Sequence, residues 1–381
     1  MAKSFIEHAH EMDGVAERQG LRESVEDYVL RPGISREALR YCQGTCQERV
    51  YGELLDLRDD EFVLEVGNGP GVYSTRMALQ KRCIVVASDV SLSWLEISRA
   101  RAAKNGVQDR LLHVQAPSEA LPFNDDSFDK ITCSEVFEHI RNKEQALSEM
   151  HRVLKPGGVL VLSTPNRFQT VFTGLDLLIF LKEIGRYVSG VMMRRTFHKR
   201  AFDSPVWPWE MRAMVRRHLE IELLETATLG PGLFSLWRFV PFQPLCVRVC
   251  RFLDDKFPFK GFNAKILLKA RKRGSQEALG AHDFAAMMPE GRSAQLVAVA
   301  ASSAGTAEDV AVGKELLRVL RCPAHVRGGT EAGILDLARG TWLVCRDCGR
   351  KFPVKHGIPL MLIEEGDRYR AAPVEQLELP A

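Results

Sequence analysis

The sequence predicts an α/β protein whose main domain is a doubly wound, mostly parallel sheet, followed by a smaller second unit. Three observations support this. Short apolar runs alternate with helical patterns from about residue 60 to residue 270. A glycine-rich loop joins the first run to the first of these helical patterns. Two pairs of closely spaced Cys and His residues lie far downstream. At 381 residues the chain is long enough for two or three domains.

The alternating elements predict a parallel sheet covered by helices on both faces, because each strand must be followed by a crossover helix. The helical patterns cover about residues 72–80, 92–104, 143–154 and 207–218. The strand-like runs are Phe62–Val66, Ile84–Ser88, Leu111–Gln115, Phe128–Cys133, Val159–Ser163, Ile221–Thr226 and Asn263–Lys269.

The alternation also sets the predicted domain boundaries. Residues 1–60 form an N-terminal helical segment, with one helix predicted from Ser35 to about Leu57. The main domain covers residues 61–273, and residues 167–206 interrupt it with a mixed apolar and basic insertion that we interpret as a lid over the substrate. The remainder divides into a linker rich in Ala, Gly and Ser, a second unit and a tail, at residues 274–313, 314–365 and 366–381.

Composition limits the class of protein. The formal net charge of +3 does not indicate nucleic-acid binding, so we expect no nucleic-acid partner. No signal-peptide pattern and no run of roughly 18 apolar residues is visible. The nine cysteines, an odd number, favour a reducing, cytoplasmic location. The longest apolar piece, Gly232–Leu253, is interrupted by arginines and prolines and fits ordinary core, a pocket lining or peripheral contact with a membrane.

The loop Gly67-Asn-Gly-Pro-Gly71 directly follows the first predicted strand and precedes a helix. Glycines allow a sharp turn and close approach of a ligand, and the helix start presents free N–H groups. The spacing is G-x-G-x-G and not the G-x-G-x-x-G of dinucleotide sites. Glu65 before the loop suits a cationic ligand group. Asp89, which ends the second strand, can accept hydrogen bonds from ribose hydroxyls.

Six motifs lie in order over residues 60–166: Glu65-Val-Gly-Asn-Gly-Pro-Gly71, Asp89, Glu119-Ala-Leu-Pro-Phe123, Ser127-Phe-Asp129, Cys133-Ser-Glu-Val-Phe-Glu-His139 and Arg152-Val-Leu-Lys-Pro-Gly-Gly158. Together they resemble class I S-adenosylmethionine-dependent methyltransferases, in the branch that contains the ubiquinone and menaquinone pathway enzymes. The resemblance implies a Rossmann-like sheet of seven strands and S-adenosylmethionine as the cofactor.

The resemblance also implies a role for each matching residue. One departure is Pro117, which stands where the family often has an Asp that accepts from the adenine amino group. The implied contacts are Gly67, Gly69 and Gly71 with the methionine part, Asp89 with the ribose, Val90, Ser118 and Glu119 with the adenine, and Ser134 and Glu135 beside the sulfonium.

The loop after the fourth predicted strand bears on the methyl acceptor. It reads Ser134-Glu-Val-Phe137, in place of the Asn/Asp-Pro-Pro-Tyr loop used to methylate amino groups of bases and amides. We therefore expect methylation of an oxygen or carbon of a small-molecule or lipid-like acceptor. His139 and His198 are the candidate general bases. An RNA or protein methyltransferase and a non-catalytic, cofactor-binding scaffold remain as alternatives.

A divalent-metal site is a further alternative, because Glu135, Glu138 and His139 resemble part of such a site in some relatives. Those relatives place a second His where this chain has Glu144. Many relatives without a metal also carry the Glu-His pair, and a structural role at the start of the next helix is equally compatible with it.

The second unit contains Cys322-Pro-Ala-His325 and Cys345-Arg-Asp-Cys348, separated by 19 residues. This spacing is typical of a structural zinc site with four protein ligands. Zinc binding would also supply folding free energy that so small a unit lacks. We therefore predict that Cys322, His325, Cys345 and Cys348 bind Zn²⁺.

The flanking segments Leu316-Leu-Arg-Val-Leu-Arg-Cys-Pro323 and Phe352-Pro-Val-Lys-His-Gly-Ile-Pro-Leu-Met361 resemble the small zinc-ribbon proteins that activate methyltransferases. His325 departs from that family, which usually has Cys there. The resemblance implies a zinc-ribbon domain that packs on the catalytic domain of the same chain and stabilises it.

Overall fold

The computed structural model describes residues 5–19, 49–167, 204–227, 243–253, 265–274, 312–329 and 331–380. Most of the helix predicted from Ser35 to about Leu57, most of the proposed lid and most of the proposed linker lie outside these described residues, although Arg49–Leu54 is described as a π-helical turn.

Seven strands form one sheet in the order β3-β2-β1-β4-β5-β7-β6. Strands β1 to β5 are parallel, and β7 lies antiparallel between β5 and β6. The mostly parallel seven-stranded sheet is therefore confirmed. The strands are β1 Phe62–Val66, β2 Ile84–Asp89, β3 Leu111–Gln115, β4 Phe128–Ser134, β5 Leu154–Pro165, β6 Glu220–Ala227 and β7 Lys265–Arg271.

The strand order reverses direction beside β1, since β2 pairs with one edge of β1 and β4 with the other. In open parallel sheets, ligands bind beyond the carboxyl ends of the strands at such a switch point. The residues that follow β1, β2 and β4 therefore face a common crevice.

Helices cover both faces of the sheet. Because successive side chains in a strand point to opposite faces, Val63 and Leu64 enter two separate buried clusters, and so do Val85 and Val86. The helices are α1 Phe5–Gln19, α2 Val72–Gln80, α3 Leu92–Lys104, α4 Lys143–Val153, α5 Pro208–Val215 and α6 Gln243–Leu253, with a π-helical turn at Arg49–Leu54 and a 3-10 turn at Phe137–His139.

Two of these helices begin where the sequence supplies a capping side chain. The Ser91 hydroxyl accepts a hydrogen bond from the Trp94 N–H, and the Asn142 side chain accepts one from the Gln145 N–H. Each cap satisfies a backbone donor that has no partner within its helix. The caps fix the starts of α3 and α4, the helices that follow the carboxyl ends of β2 and β4.

Strand β5 is longer than predicted, because it begins at Leu154 and not at Val159. Leu154 pairs with Phe128 and Val159 pairs with Lys130, so the intervening residues form a bulge. Gly157 lies in this bulge with a φ of 77°, a conformation that favours glycine. The predicted turn is thus present as an irregularity inside the strand.

The C-terminal unit contains a four-stranded antiparallel sheet in the order β11-β10-β9-β8. Its elements are α7 Lys314–Val319, β8 Leu335–Ala338, β9 Trp342–Cys345, β10 Lys351–Lys355, β11 Ile358–Pro359 and α8 Ile363–Arg368, with 3-10 turns at Val326–Gly328 and Val374–Gln376.

Backbone hydrogen bonds join the two units. The Met361 N–H donates to the Gln115 carbonyl at 2.8 Å, at the end of edge strand β3, and Arg321 N–H donates to the Pro122 carbonyl at 2.9 Å. Phe123 and Leu320, which form an isolated bridge, are both fully buried and belong to one apolar cluster. The two units therefore share a continuous core.

Helix α1 contacts both units. The Asp13 carboxylate accepts hydrogen bonds from the Ser91 hydroxyl at 2.6 Å and the Ser93 N–H at 3.0 Å, at the start of α3. The Phe5 N–H donates to Glu364 of α8 at 3.0 Å. Neither contact could be predicted from the sequence, because nothing in α1 signals its partners.

Candidate active site and metal centre

The glycine loop leaves β1 with three left-handed residues, Gly67, Gly69 and Gly71, at φ values of 74°, 53° and 73°. A Cβ on Gly67 would lie 2.2 Å from the Val136 side chain, and one on Gly71 would lie 2.0 Å from the Ser98 hydroxyl. A Cβ on Gly69 would meet no atom within 4 Å. Gly67 and Gly71 are thus required by packing, whereas Gly69 borders open space.

The Ser98 side chain is held in place by a buried histidine. Its hydroxyl lies 2.9 Å from Nε2 of His113, which is almost entirely buried. Burial lowers the pKa of His113 to about 3, so the imidazole is neutral at physiological pH. This contact fixes the helix α3 surface against which Gly71 packs.

Glu65 lies at the end of β1 with only 3% of its surface exposed. Its Oε1 accepts a hydrogen bond from the Tyr51 hydroxyl at 3.1 Å, but Oε2 is buried without a hydrogen-bond partner among the described residues. Burial raises the pKa of the Glu65 carboxyl to about 7, although the Tyr51 hydrogen bond opposes the shift. A buried carboxylate with an unsatisfied oxygen fits a cationic donor from a ligand.

Asp89 ends β2 and is also buried. Its Oδ2 accepts from the Gly69 N–H at 2.8 Å, and its Oδ1 accepts from the Ser91 N–H at 2.9 Å. Burial raises the pKa of the Asp89 carboxyl to about 6, while these backbone donors oppose the shift. The carboxylate therefore ties the glycine loop to the start of α3 at the switch point.

The residues predicted to contact the adenine follow β2 and β3. The Val90 carbonyl accepts from the Gln115 side chain at 2.8 Å, which links the two strand ends. The Ser118 hydroxyl donates to Glu119 Oε2 at 2.9 Å. Both loops lie at the same edge of the sheet as the glycine loop, because β1, β2 and β3 are parallel neighbours.

Ser134 and Glu135 end β4 beside the glycine loop. Glu135 has a φ of 59°, which is unusual for a residue with a side chain and is common at functional sites. Its carboxylate accepts from the Ser163 hydroxyl at 3.3 Å and pairs with Lys265. The Ser134 and Ser163 hydroxyls lie 2.7 Å apart. A polar network thus lines the carboxyl ends of β4 and β5 and the start of β7.

His139 closes the 3-10 turn after β4, with 38% of its side chain exposed. Its Nε2 lies 4.0 Å from Oε1 of Glu138, whose Oε2 accepts from the Thr164 hydroxyl at 3.0 Å. Glu135 instead pairs with Lys265. Among the described residues, Glu135, Glu138 and His139 do not form a metal-binding group. The second candidate base, His198, lies outside the described residues.

The C-terminal unit assembles a group of four side chains. One ligand atom from each of Cys322, His325, Cys345 and Cys348 lies within 4.8 Å of the others. The Cys322 and Cys348 sulfurs are 3.9 Å apart, and the Cys345 sulfur is 4.0 Å from His325 Nδ1. A tetrahedral zinc ion with metal–sulfur bonds of ~2.3 Å requires sulfur–sulfur distances of roughly 3.8 Å. The spacing therefore fits a four-coordinate ion.

The surroundings of one member of this group, Cys348, favour a deprotonated thiol. The Arg350 guanidinium donates to the Cys348 sulfur at 3.3 Å. The Gly349 N–H donates to the Cys345 carbonyl at 2.9 Å, which closes the turn after β9. Such contacts outside the ligand set orient metal-binding side chains.

Three residues of the site were not identified from the sequence: Tyr51, Ser163 and Lys265. Each lies on an element distant in sequence from the glycine loop, and a lone Tyr, Ser or Lys carries no motif. Tyr51 stacks on Tyr73 of α2 with ring centroids 4.4 Å apart, which brings its hydroxyl to Glu65. Only the three-dimensional arrangement reveals these contacts.

A sequence family described as a methyltransferase domain matches residues 64–162. The ubiquinone/menaquinone biosynthesis C-methyltransferase UbiE of Pectobacterium carotovorum is 35% identical over 144 residues, which cover 36% of this chain and 57% of that protein. The methyltransferase GfsG of Streptomyces halstedii is 37% identical over 116 residues, which cover 30% of this chain and 41% of that protein. The chain thus spans about half the length of these curated relatives.

One solved structure similar to this chain is the complex of the Haloferax volcanii Trm112 methyltransferase activator with a methyltransferase. It has a TM-score of 0.45 and 14% sequence identity, and the match covers 70% of this chain and 98% of that chain.

The matched region contains the glycine loop, Asp89 and the loop after β4, the segments that form the crevice at the switch point. Residues 64–162 of this chain are therefore similar to a methyltransferase domain.

Proposed function

We propose that this protein transfers a methyl group from S-adenosylmethionine to an oxygen or carbon atom of a small-molecule or lipid-like acceptor. The observation that carries the proposal is the buried carboxylate pair Glu65 and Asp89 beside the open Gly69. This arrangement suits a ligand that has both a cationic amino-acid end and a ribose.

The residues fit this cofactor in three ways. The partnerless Glu65 Oε2 suits a hydrogen bond from the cationic methionine end. The open space beside Gly69 admits the cofactor next to the main chain. Asp89 suits the ribose, with Val90, Ser118 and Glu119 next to the adenine. When bound, the cofactor supplies a methyl group activated by a sulfonium, so the protein mainly aligns the acceptor and removes its proton.

We propose the ends of β4, β5 and β7 as the acceptor side of the crevice. There Ser134, Glu135 and Lys265 supply hydrogen-bonding and charged groups that can orient a polar acceptor head. His139 is half-exposed after β4 and is our proposed general base. The absence of the Asn/Asp-Pro-Pro-Tyr sequence after β4 supports an oxygen or carbon acceptor over an amino group.

Calorimetric titration with S-adenosylhomocysteine tests the proposed cofactor site. We expect micromolar binding by the full chain and a loss of at least tenfold for Asp89→Asn. The matched control is Asp129→Asn, because Asp129 also accepts a backbone N–H, from Phe62 at 2.9 Å, but at the amino edge of the sheet. Absence of binding by folded protein, or equal effects of the two substitutions, would contradict the proposal.

We further propose that residues 314–365 form a zinc ribbon that stabilises the catalytic domain within the same chain. The convergence of Cys322, His325, Cys345 and Cys348 supports zinc binding. The continuous apolar cluster that includes Phe123 and Leu320 supports a stabilising role, because removal of the C-terminal unit would expose this core.

A further inference from the structure

Helix α6 has an apolar side that faces solvent. Leu245, Val249 and Phe252 are 57%, 37% and 65% exposed, whereas Val247 on the opposite side is fully buried. Intervals of four and three residues place the three exposed side chains along one stripe of the helix. Val247 therefore packs against the protein, whereas the three side chains of the stripe are largely exposed.

The charge of this region is predominantly basic. Helix α6 contains no acidic residue, and Arg248 is exposed beside the apolar stripe. The whole connection between β6 and β7, residues 228–264, carries five basic residues and two acidic ones, and it holds seven of the chain's 19 phenylalanines. The basic residues are Arg238, Arg248, Arg251, Lys256 and Lys260, and the acidic ones are Asp254 and Asp255.

The sheet register fixes where this connection begins and ends. Ala227 at the end of β6 pairs with Lys265 at the start of β7, and Lys265 also pairs with Pro165 at the carboxyl end of β5. The connection therefore leaves and re-enters the sheet at the edge that carries the candidate active site. Among the described residues, no helix has the length and apolarity needed to cross a membrane.

We infer that the Leu245–Val249–Phe252 face of α6 docks on an anionic lipid bilayer and holds the ligand edge of the sheet against that surface. An amphipathic helix with Leu and Phe on one side, and with arginine but no acidic residue within the helix, inserts its apolar face at the headgroup boundary and attracts anionic lipids. A second copy of the chain suits this face less well, because two basic surfaces would repel each other. The inference goes beyond the proposed function and does not depend on it.

Flotation of the full chain with vesicles tests this inference. The vesicles are phosphatidylcholine alone or phosphatidylcholine with about one third phosphatidylglycerol, and the variants are Leu245→Glu and Arg248→Gln. Leu79→Glu is the matched control, because Leu79 is 54% exposed on α2, away from α6. S-adenosylhomocysteine binding is measured in parallel, so that failure of the cofactor site is distinguished from failure of the membrane site.

We expect the wild type and Leu79→Glu to float with anionic vesicles, with weaker flotation at 0.5 M salt and little with phosphatidylcholine alone. Leu245→Glu should weaken binding at least tenfold and Arg248→Gln about threefold. Equal flotation of Leu245→Glu and Leu79→Glu would overturn the inference. So would absence of wild-type flotation, or a salt-stable wild-type dimer that Leu245→Glu converts to a monomer.

Discussion

The Arg327 guanidinium donates two hydrogen bonds to Oε1 of Glu149, at 3.1 and 3.0 Å, and so joins the C-terminal unit to helix α4. Glu149 is only 1% exposed and also pairs with Arg152. Its Oε2 accepts from the Leu121 N–H at 3.0 Å, in the loop that follows Glu119. One buried carboxylate thus connects the proposed zinc ribbon to the adenine side of the candidate cofactor site.

We predict that Arg327→Met lowers the free energy of unfolding by about 1 kcal/mol, since Glu149 retains Arg152 and Arg327 is half-exposed. Urea unfolding measures this change. Arg346→Met is the matched control, because the Arg346–Asp336 pair lies on the surface within the C-terminal unit. We expect no measurable change for it, and equal losses in the two variants would contradict an interaction between the units.

Cofactor affinity should fall with decreasing pH. The pKa values of Glu65 and Asp89, about 7 and about 6, lie above those of the free side chains because both groups are buried. A cationic ligand favours the carboxylates and must therefore displace protons as it binds. We expect roughly 100-fold weaker binding of S-adenosylhomocysteine at pH 5.5 than at pH 8.

Calorimetry in buffers of different ionisation enthalpy would detect the released protons. In the protein without ligand, the raised pKa values mean that the folded state binds more protons than the unfolded state. The stability that the protonated Glu65 and Asp89 carboxyls contribute is therefore fully present below the unfolded pKa values, and it is lost as pH rises towards about 7.

The variant Glu65→Gln should bind S-adenosylhomocysteine weakly at every pH and lose the pH dependence that Glu65 causes. A pH dependence unchanged in that variant would argue against Glu65.

A substitution at Gly69 tests ligand contact without a packing clash, because an added Cβ there would meet no protein atom within 4 Å. Gly69→Ala should cost about 1 kcal/mol of stability, because the residue is left-handed, and should weaken S-adenosylhomocysteine binding at least tenfold. Gly106→Ala is the matched control. Gly106 has a φ of 67°, and a Cβ added to it would also meet no atom within 4 Å, but it lies just beyond the C-terminal end of α3, away from the glycine loop. If both substitutions left binding unchanged, Gly69 would not face the ligand.

Removal of one proposed zinc ligand should affect the whole chain. We expect about one zinc ion per chain in the wild type, and a large loss of zinc in Cys345→Ser. The Tm of this variant should fall by roughly 10 °C, because the cluster lies in the core shared by both units. Elemental analysis and circular dichroism measure these changes. Cys83→Ala, which removes a buried thiol outside the cluster, should keep its zinc; zinc-free wild type would refute the zinc site.

The sequence determined the order and type of most described elements. Helices α2 and α3 begin and end where the patterns predicted, and the start of α3 is set locally by its Ser91 cap. The tight turn of the glycine loop was also identifiable, since a left-handed backbone restricts the residue type. The bulge at the start of β5 was missed, because register depends on the neighbouring strand.

Only the tertiary structure decided which distant residues meet. Nothing local to Tyr51, Asp13, Lys265 or Arg327 predicts that they reach Glu65, Ser91, Glu135 and Glu149. Periodicity and motifs report forces between neighbours in sequence, whereas these contacts follow from the packing of whole elements. For the same reason, the sequence could indicate four metal-ligand side chains, but only the folded chain brings their ligand atoms within 4.8 Å of one another.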